Sequence, residues 1–170
     1  MLRAFTLLEL LVVIVIIAIL AGLAIPVTRR VIQNSRAAAC VQNERQLGVA
    51  LNLYLADNNA TMPTLQAGRR DKSEDVPVID NTLDRYVKDA RVFACPADDR
   101  HFVESTGTSY YWNTALNGQV LANLRFLFTT NVTEIPILAD KEGFHLYSEN
   151  KVNLLYADGH ATHDLTFFTK

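Results

Sequence analysis

A long apolar run near the N-terminus, from Phe5 to Ile25, contains a single charged residue, Glu9. In helical geometry a segment of this length covers about 30 Å, enough to cross the hydrocarbon core of a bilayer. Later parts of the chain mix charged and apolar residues, so the hydrophobicity is concentrated at one end. The sequence therefore predicts one N-terminal membrane-spanning helix, followed by roughly 145 residues that can bury a modest core of their own.

Glu9 lies inside the apolar run, and the free energy of placing its charge in hydrocarbon helps to choose among three interpretations of the N-terminal segment. A cleaved signal peptide agrees with the small residues Gly22 and Ala24, but its apolar region is normally shorter. A plain membrane anchor agrees with the length, yet a charged side chain in hydrocarbon costs on the order of 3 kcal/mol. A residue that costs this much normally has a partner or a function. The third interpretation gives Glu9 both.

The residues from Met1 to Glu9, MLRAFTLLE, resemble the type IV prepilin motif, in which a short basic leader precedes a phenylalanine and a glutamate follows four residues later. The resemblance implies that a prepilin peptidase cuts between Ala4 and Phe5 and that the new Phe5 amine is N-methylated. It also implies that Glu9 meets the N-terminal amine of a neighbouring subunit, where the two opposite charges neutralise each other. The family usually has glycine before the cut, so Ala4 predicts slower or tolerated processing.

Pro26 follows the apolar run, at a position where many pilins carry a proline. A proline inside a helix removes one backbone hydrogen bond and permits a kink. From Val27 to about Ala56 there is no further proline, and the pattern predicts that the helix continues to an end at 57–59. The alternative is two helices with a break near Pro26.

The continuation of the helix is predicted to pack under a head through one apolar face. The residues assigned to that face are Cys40, Leu47, Leu51, Tyr54 and Leu55. The residues assigned to the opposite face are Arg36, Glu44, Arg45 and Asn52.

The head is predicted to be small and of mixed composition, with a polar exposed loop at 64–78. Asp158-Gly159 is a turn signal that predicts a hairpin between the last two strands. The predicted elements are a helix from Thr82 to Asp89, a Cys-Pro turn at the end of 91–99, an aromatic strand at 109–113, a helical turn at 121–127, and strands at 134–139, 152–156 and 161–168. The fold class is therefore α+β: a pilin lollipop with a long N-terminal helix packed on a small antiparallel sheet.

The head also resembles pilin-like proteins of planctomycetes and verrucomicrobia. The resemblance rests on CVQNERQLGVALNLYLADNNATMP, VFACPADD, SYYWN and VNLLYADGHATH. In that group a C-terminal ADGH hairpin follows an upstream histidine, which corresponds here to His145. The resemblance implies the pilin-like architecture of the head and leaves the function of the head open.

Cys40 and Cys95 are the two cysteines of the chain. If the head is exported, a disulfide between them closes a loop of about 55 residues, which the chain-entropy model values at roughly 4 kcal/mol. The alternatives are two buried free thiols, or one thiol paired with another protein.

Metal binding is a minor alternative in this sequence. His160 and His163 lie on opposite faces of a predicted strand, which favours surface residues over a zinc site. Calcium is the one cofactor considered, and no dense ligand loop supports it. Its weak candidate ligands are Asp98, Asp99, Asp140 and Glu142.

Composition and motifs favour a structural protein. The net charge of −2 gives no electrostatic case for nucleic acid, and no hydrolase, phosphate-loop or zinc-protease motif is present. The aromatic residues Tyr110, Tyr111 and Trp112 are expected in the core and on the strand surface rather than in a ligand site.

The predicted function is that of a pilin or pseudopilin, a subunit of a type IV pilus or a type II secretion-like filament, with prepilin peptidase, other subunits and the inner membrane as partners. The predicted organisation is a leader at 1–4, a transmembrane assembly helix at 5–26 and an extracytoplasmic head at 27–170. The rival interpretation is a membrane-anchored extracytoplasmic binding module that does not assemble into a filament.

Overall fold

The computed structural model describes residues 7–145 and 151–162. Its dominant element is helix α1, Leu7–Asp57, which runs without interruption for 51 residues. Pro26 lies inside α1, so the prediction of one long helix is confirmed and the two-helix alternative is wrong. Nearby, the Thr28 hydroxyl donates a hydrogen bond to the carbonyl of Ala24. The predicted fold class, a long N-terminal helix with a small antiparallel sheet, is confirmed.

Helix α1 ends where the sequence predicts, because the chain turns into the left-handed region just after Asp57. Asn59 and Ala60 have φ values of 53° and 54°. The Ala60 amide donates back to the carbonyl of Leu55, and the Asn58 side chain donates to the carbonyl of Tyr54. These bonds satisfy carbonyls that the helix end leaves open.

Within its described residues the head adds two short helices, several 3₁₀ turns and one sheet. The helices are α2, Ile79–Leu83, and α3, Phe102–Thr106. The 3₁₀ turns are Asp84–Tyr86, Ala90–Phe93, Thr114–Leu116, Leu121–Asn123 and Val132–Glu134. The strands are β1, Tyr110–Trp112; β2, Pro136–Asp140; β3, Leu154–Tyr156; and β4, Ala161–Thr162.

The four strands form an antiparallel sheet in the order β1-β2-β3-β4. Tyr110 pairs with Asp140 across β1 and β2, and Leu138 pairs with Leu155 across β2 and β3. Strands β3 and β4 are joined by a turn at Asp158-Gly159, where Gly159 has a φ of 89° that favours glycine. The predicted last strand extended to Phe168, and its part beyond Thr162 lies outside the described residues.

The predicted helix from Thr82 to Asp89 is shifted. Helical structure begins at Ile79 and ends with the 3₁₀ turn at Tyr86. The earlier start has a local cause, since the Asn81 side chain accepts a hydrogen bond from the Val78 amide and donates one to the carbonyl of Val76. This bond satisfies one of the open amides at the helix start.

The core of the head lies between the second half of α1 and the sheet. Leu47, Leu51 and Leu55 of α1 are buried together with Leu155 and Ile137 of the sheet. The helix approaches the sheet closely at Gly48, where an added Cβ would lie 3.2 Å from a methyl carbon of Leu155. The face of α1 that meets the sheet also carries the buried residues Cys40 and Glu44.

Candidate functional site

The first half of α1 exposes apolar side chains all around its circumference. Leu7 is 83% exposed, Leu11 is 53% exposed and Leu20 is 61% exposed. The helix is long and apolar enough to cross a membrane, by length and composition. Among the described residues no part of the head covers this segment, so its apolar surface requires lipid or other protein chains around it.

Glu9 lies in the first turn of α1, on this exposed segment. A carboxylate near a helix N-terminus is favoured by the helix dipole, and the open amides of the first turn lie nearby. The predicted cleavage residues Ala4 and Phe5 lie outside the described residues. Processing at that bond and N-methylation of Phe5 therefore stay predictions.

The second half of α1 is fastened to the head by a disulfide between Cys40 and Cys95. Their Cα atoms are 4.8 Å apart, and the bond joins α1 to the chain just after the 3₁₀ turn Ala90–Phe93. Both residues are buried, at 0% and 3% exposure. The predicted pairing is confirmed, and the free-thiol alternative is wrong for this structure.

Behind the disulfide lies a buried group of polar side chains centred on Asp140, the last residue of β2. The Asp140 carboxylate lies 3.0 Å from His145 Nε2 and accepts a hydrogen bond of 2.7 Å from the Asn153 amide. The Asn153 side chain lies 2.7 Å from the same His145 nitrogen. Burial raises the pKa of Asp140, while the bonds from His145 and Asn153 oppose the rise.

Glu44 belongs to the same group, although the sequence pattern assigned it to the exposed face of the helix. It is 0% exposed, and its two carboxyl oxygens have no hydrogen-bond partner among the described residues. Burial, with the nearby Asp140 charge as the smaller cause, raises the pKa of Glu44 well above its usual range. The assignment was wrong because Glu44 lies one turn after Cys40 and one turn before Leu47, on the face that meets the sheet.

We call these five side chains, Cys40, Glu44, Cys95, Asp140 and His145, the buried polar cluster. The sequence analysis named its cysteines, His145 and, as a weak calcium ligand, Asp140, but it missed Glu44 and the contribution of Asn153. The detectable signal for Glu44 was its helical spacing from Cys40, at i and i+4.

The other histidine and acidic candidates are held by local contacts. His160 Nδ1 lies 2.5 Å from Asp158 Oδ1, and the ring stacks on Tyr156 with centroids 4.4 Å apart. His163 lies outside the described residues. These contacts place His160 in the turn between β3 and β4, as expected for a turn residue.

The four candidate calcium ligands are not gathered at one point. The Asp98 carboxylate accepts bonds from the Phe102 amide and the Ser109 hydroxyl. Glu142 pairs with Arg100 at 2.9 Å, and Asp140 lies in the buried polar cluster. Calcium therefore stays the minor alternative that it was in the sequence analysis.

The aromatic side chains of β1 alternate between the buried and the exposed face of the sheet, as successive residues of a strand do. Tyr110 and Trp112 are buried at 0% and 2%, whereas Tyr111 is exposed at 47% and lies under the Lys141 ammonium. The Trp112 indole donates to the Asn117 side chain at 2.7 Å. Tyr110 and Trp112 therefore belong to the core. Burial lowers the pKa of Lys141, the neighbour of Tyr111, to about 8.

The comparison with protein families matches residues 3–25 to the family described as "Prokaryotic N-terminal methylation motif". The match covers the leader end, Glu9 and the apolar half of α1 as far as Ile25. No curated protein and no solved structure matched the chain. The likeness of the head to planctomycete and verrucomicrobial proteins stays a prediction. The matched segment is the prepilin-type N-terminal motif, and it supports a likeness to type IV pilin-like proteins.

Proposed function

We propose that the chain is a subunit of a type IV pilus or a type II secretion-like filament. A prepilin peptidase cuts between Ala4 and Phe5, and the new N-terminal helix enters the filament core while residues 27–170 form the outer head. The observation that carries the proposal is the coincidence of the methylation motif at 3–25 with a helix whose apolar surface is exposed.

Packing between copies explains Glu9 better than anchoring alone. A single membrane anchor of about 20 apolar residues accounts for the length of the segment but has no use for a carboxylate near its start. In a bundle of such helices the Glu9 carboxylate and the Phe5 amine of a neighbour neutralise each other in a low-dielectric surrounding. Each charge alone is costly there, so the pair favours one register between neighbouring subunits.

The disulfide supports an extracytoplasmic position for the head. Disulfides persist in oxidising compartments and are rare in the cytosol. Cys40 and Cys95 are the two cysteines of the chain, and both are used in the bond. The proposed location is therefore the inner membrane, with the head in the periplasm or on the cell surface.

Processing is tested by mass spectrometry of the N-terminal peptide after expression in a host that has a prepilin peptidase. The expected mature terminus is methylated Phe5. Ala4→Gly serves as the matched variant and should be cut at least as fast, because it restores the usual residue before the bond. A mature terminus at Ile25 would instead indicate an ordinary signal peptide and contradict the proposal.

Assembly is tested by Glu9→Val in a host whose filament machinery incorporates the wild-type chain. The variant should be inserted in the membrane and lost from sheared filaments. Leu10→Val is the control, since it keeps the apolar surface and leaves the carboxylate in place. Unchanged incorporation of Glu9→Val would favour the rival function, a membrane-anchored binding module.

A further inference from the structure

The buried polar cluster brings together four side chains that are common metal ligands. Cys40 comes from α1, Cys95 follows the 3₁₀ turn Ala90–Phe93, Asp140 ends β2, and His145 follows five residues later. One ligand atom from each lies within 4.8 Å of all the others, and all four residues are buried. The set consists of two sulfurs, one imidazole nitrogen and one carboxylate oxygen, each of which is a ligand type that zinc accepts.

The spacing of these atoms suits a tetrahedral ion. Zinc bonds of about 2.0–2.3 Å place neighbouring ligand atoms about 3.3–3.8 Å apart. Cys40 Sγ lies 3.3 Å from Asp140 Oδ1, and Cys95 Sγ lies 3.9 Å from His145 Nε2. His145 Nε2 and Asp140 Oδ2 are 3.0 Å apart. The first of these separations lies within that range, the second lies just above it and the third just below it, and the two Asp140 distances are to different carboxyl oxygens. Small side-chain shifts would bring one oxygen into the set, and reduction of the disulfide lets the two sulfurs move apart.

Other buried polar atoms lie beside the four ligand atoms. Both carboxyl oxygens of Glu44 and His145 Nδ1 are buried without a hydrogen-bond partner among the described residues. A divalent cation would offset the negative charge that Asp140 and the two thiolates place in the interior.

We propose that the reduced chain binds one zinc ion through the Cys40 and Cys95 thiolates, His145 and Asp140. The zinc form and the disulfide form exclude each other, because the same two sulfurs are used in both. Reduction transfers two electrons and two protons from an external dithiol to the disulfide, and the dithiol becomes a disulfide. Zinc then displaces the two thiol protons.

The ion would fasten α1 to the end of β2 in the reduced chain, where the disulfide fastens α1 in the oxidised chain. A chain that has not yet been oxidised would thus hold its head against the helix. The proposal concerns the head alone and does not depend on filament assembly.

Cobalt binding to the full chain in detergent micelles tests the site, because tetrahedral cobalt absorbs visible light and its thiolate bonds add a charge-transfer band. The disulfide is first reduced anaerobically with a phosphine, which takes up the oxygen of one water molecule and leaves two thiols. We expect one cobalt per reduced chain, with both signatures, and displacement of the cobalt by zinc. The oxidised chain should give neither signature.

Single substitutions assign the ligands. His145→Gln and Asp140→Asn should each weaken cobalt binding at least about tenfold, by analogy with losses seen when even outer residues of metal sites are changed. His160→Gln is the matched control, because this histidine is part-exposed in the turn between β3 and β4 and should leave the affinity unchanged. Equal losses in His145→Gln and His160→Gln would overturn the assignment.

Thiol protection in the wild-type chain gives a result that does not depend on the folding of variants. Zinc should slow alkylation of both cysteines in the reduced chain at least about tenfold, since the thiolate is the reactive species. Unchanged alkylation with zinc present, or equal cobalt binding by oxidised and reduced chains, would overturn the proposal.

Discussion

The two halves of α1 belong to one continuous helix but contact different surroundings. In the first half Leu11 is 53% exposed and Leu20 is 61% exposed, whereas Leu47 in the second half is 0% exposed. Since helical hydrogen bonds are satisfied within the helix in both halves, the difference lies in what the side chains touch. The apolar face of the second half is buried by the head of the same chain. The apolar surface of the first half needs lipid or other chains to cover it.

Each half also carries one glutamate in apolar surroundings, and the two are accommodated differently. Glu44 lies inside the head, where its raised pKa favours the neutral form and removes the cost of a buried charge. Glu9 lies on the exposed half, where a neighbouring subunit can reach it. The comparison separates an acid that serves the interior of one chain from an acid proposed to join two chains.

The largest expected effect comes from removing the bond that joins the second half to the head. The double substitution Cys40→Ala with Cys95→Ala should lower the free energy of unfolding by about 4 kcal/mol, the chain-entropy value for a separation of 55 residues. Denaturant unfolding of the full chain in detergent, followed by the fluorescence of the single Trp112, measures the loss.

Reduced wild-type chain, kept free of metal, is the control for that experiment and should match the double variant. If the double variant unfolds at the same denaturant concentration as the oxidised wild type, the disulfide does not stabilise the head.

Truncating one leucine in each half tests the contrast directly. Leu47→Ala should cost about 3 kcal/mol, because it removes a fully buried side chain and leaves a cavity. Leu11→Ala should leave the same unfolding curve within about 0.5 kcal/mol, since the part of the head that the structure describes leaves Leu11 exposed. Similar losses from both substitutions would mean that the first half contributes to head stability.

The two glycines of α1 provide a smaller and more local comparison. A Cβ at Gly48 would lie 3.2 Å from Leu155, whereas a Cβ at Gly22 would meet nothing within 4 Å. Gly48→Val should therefore cost about 1–3 kcal/mol through overpacking, and Gly22→Val should leave the head unchanged. The unfolding midpoint of the Trp112 signal measures both, and a stable Gly48→Val would show that the helix can move away from β3.

Much of this architecture was predictable because it rests on strong local signals. The apolar run, the helix end at Asp57 and the glycine turn after β3 follow from residue types at fixed positions. Strand β1 was found because aromatic residues favour strands. The Cys40–Cys95 disulfide could be predicted because the chain has only two cysteines, which leaves one possible intrachain pairing.

The parts that were missed depend on contacts between distant segments. Glu44 is buried because Asp140 and the sheet, about a hundred residues later, cover its face of the helix. A charged residue type in a helical pattern normally indicates the solvent face, so local reasoning placed it outside. Helix α2 began early because the Asn81 side chain bonds the Val78 amide, a choice that propensity alone does not settle.

Glu44 gives an expected effect that is small per pH unit and that depends on the pH. Its pKa is raised by folding, so the folded chain binds more protons than the unfolded chain above the ordinary value of 4.5. Stability should therefore fall as the pH rises from 4.5 towards the raised pKa, by up to about 1.4 kcal/mol per pH unit. Glu44→Gln should flatten this slope and be the more stable protein at neutral pH. The slope should not vanish, since burial also raises the pKa of Asp140. Urea unfolding between pH 5 and 8 measures the slope of the unfolding free energy against pH, and Glu104→Gln, at an exposed glutamate, is the control. Equal slopes in the Glu44 and Glu104 variants would mean that Glu44 is ionised inside the head.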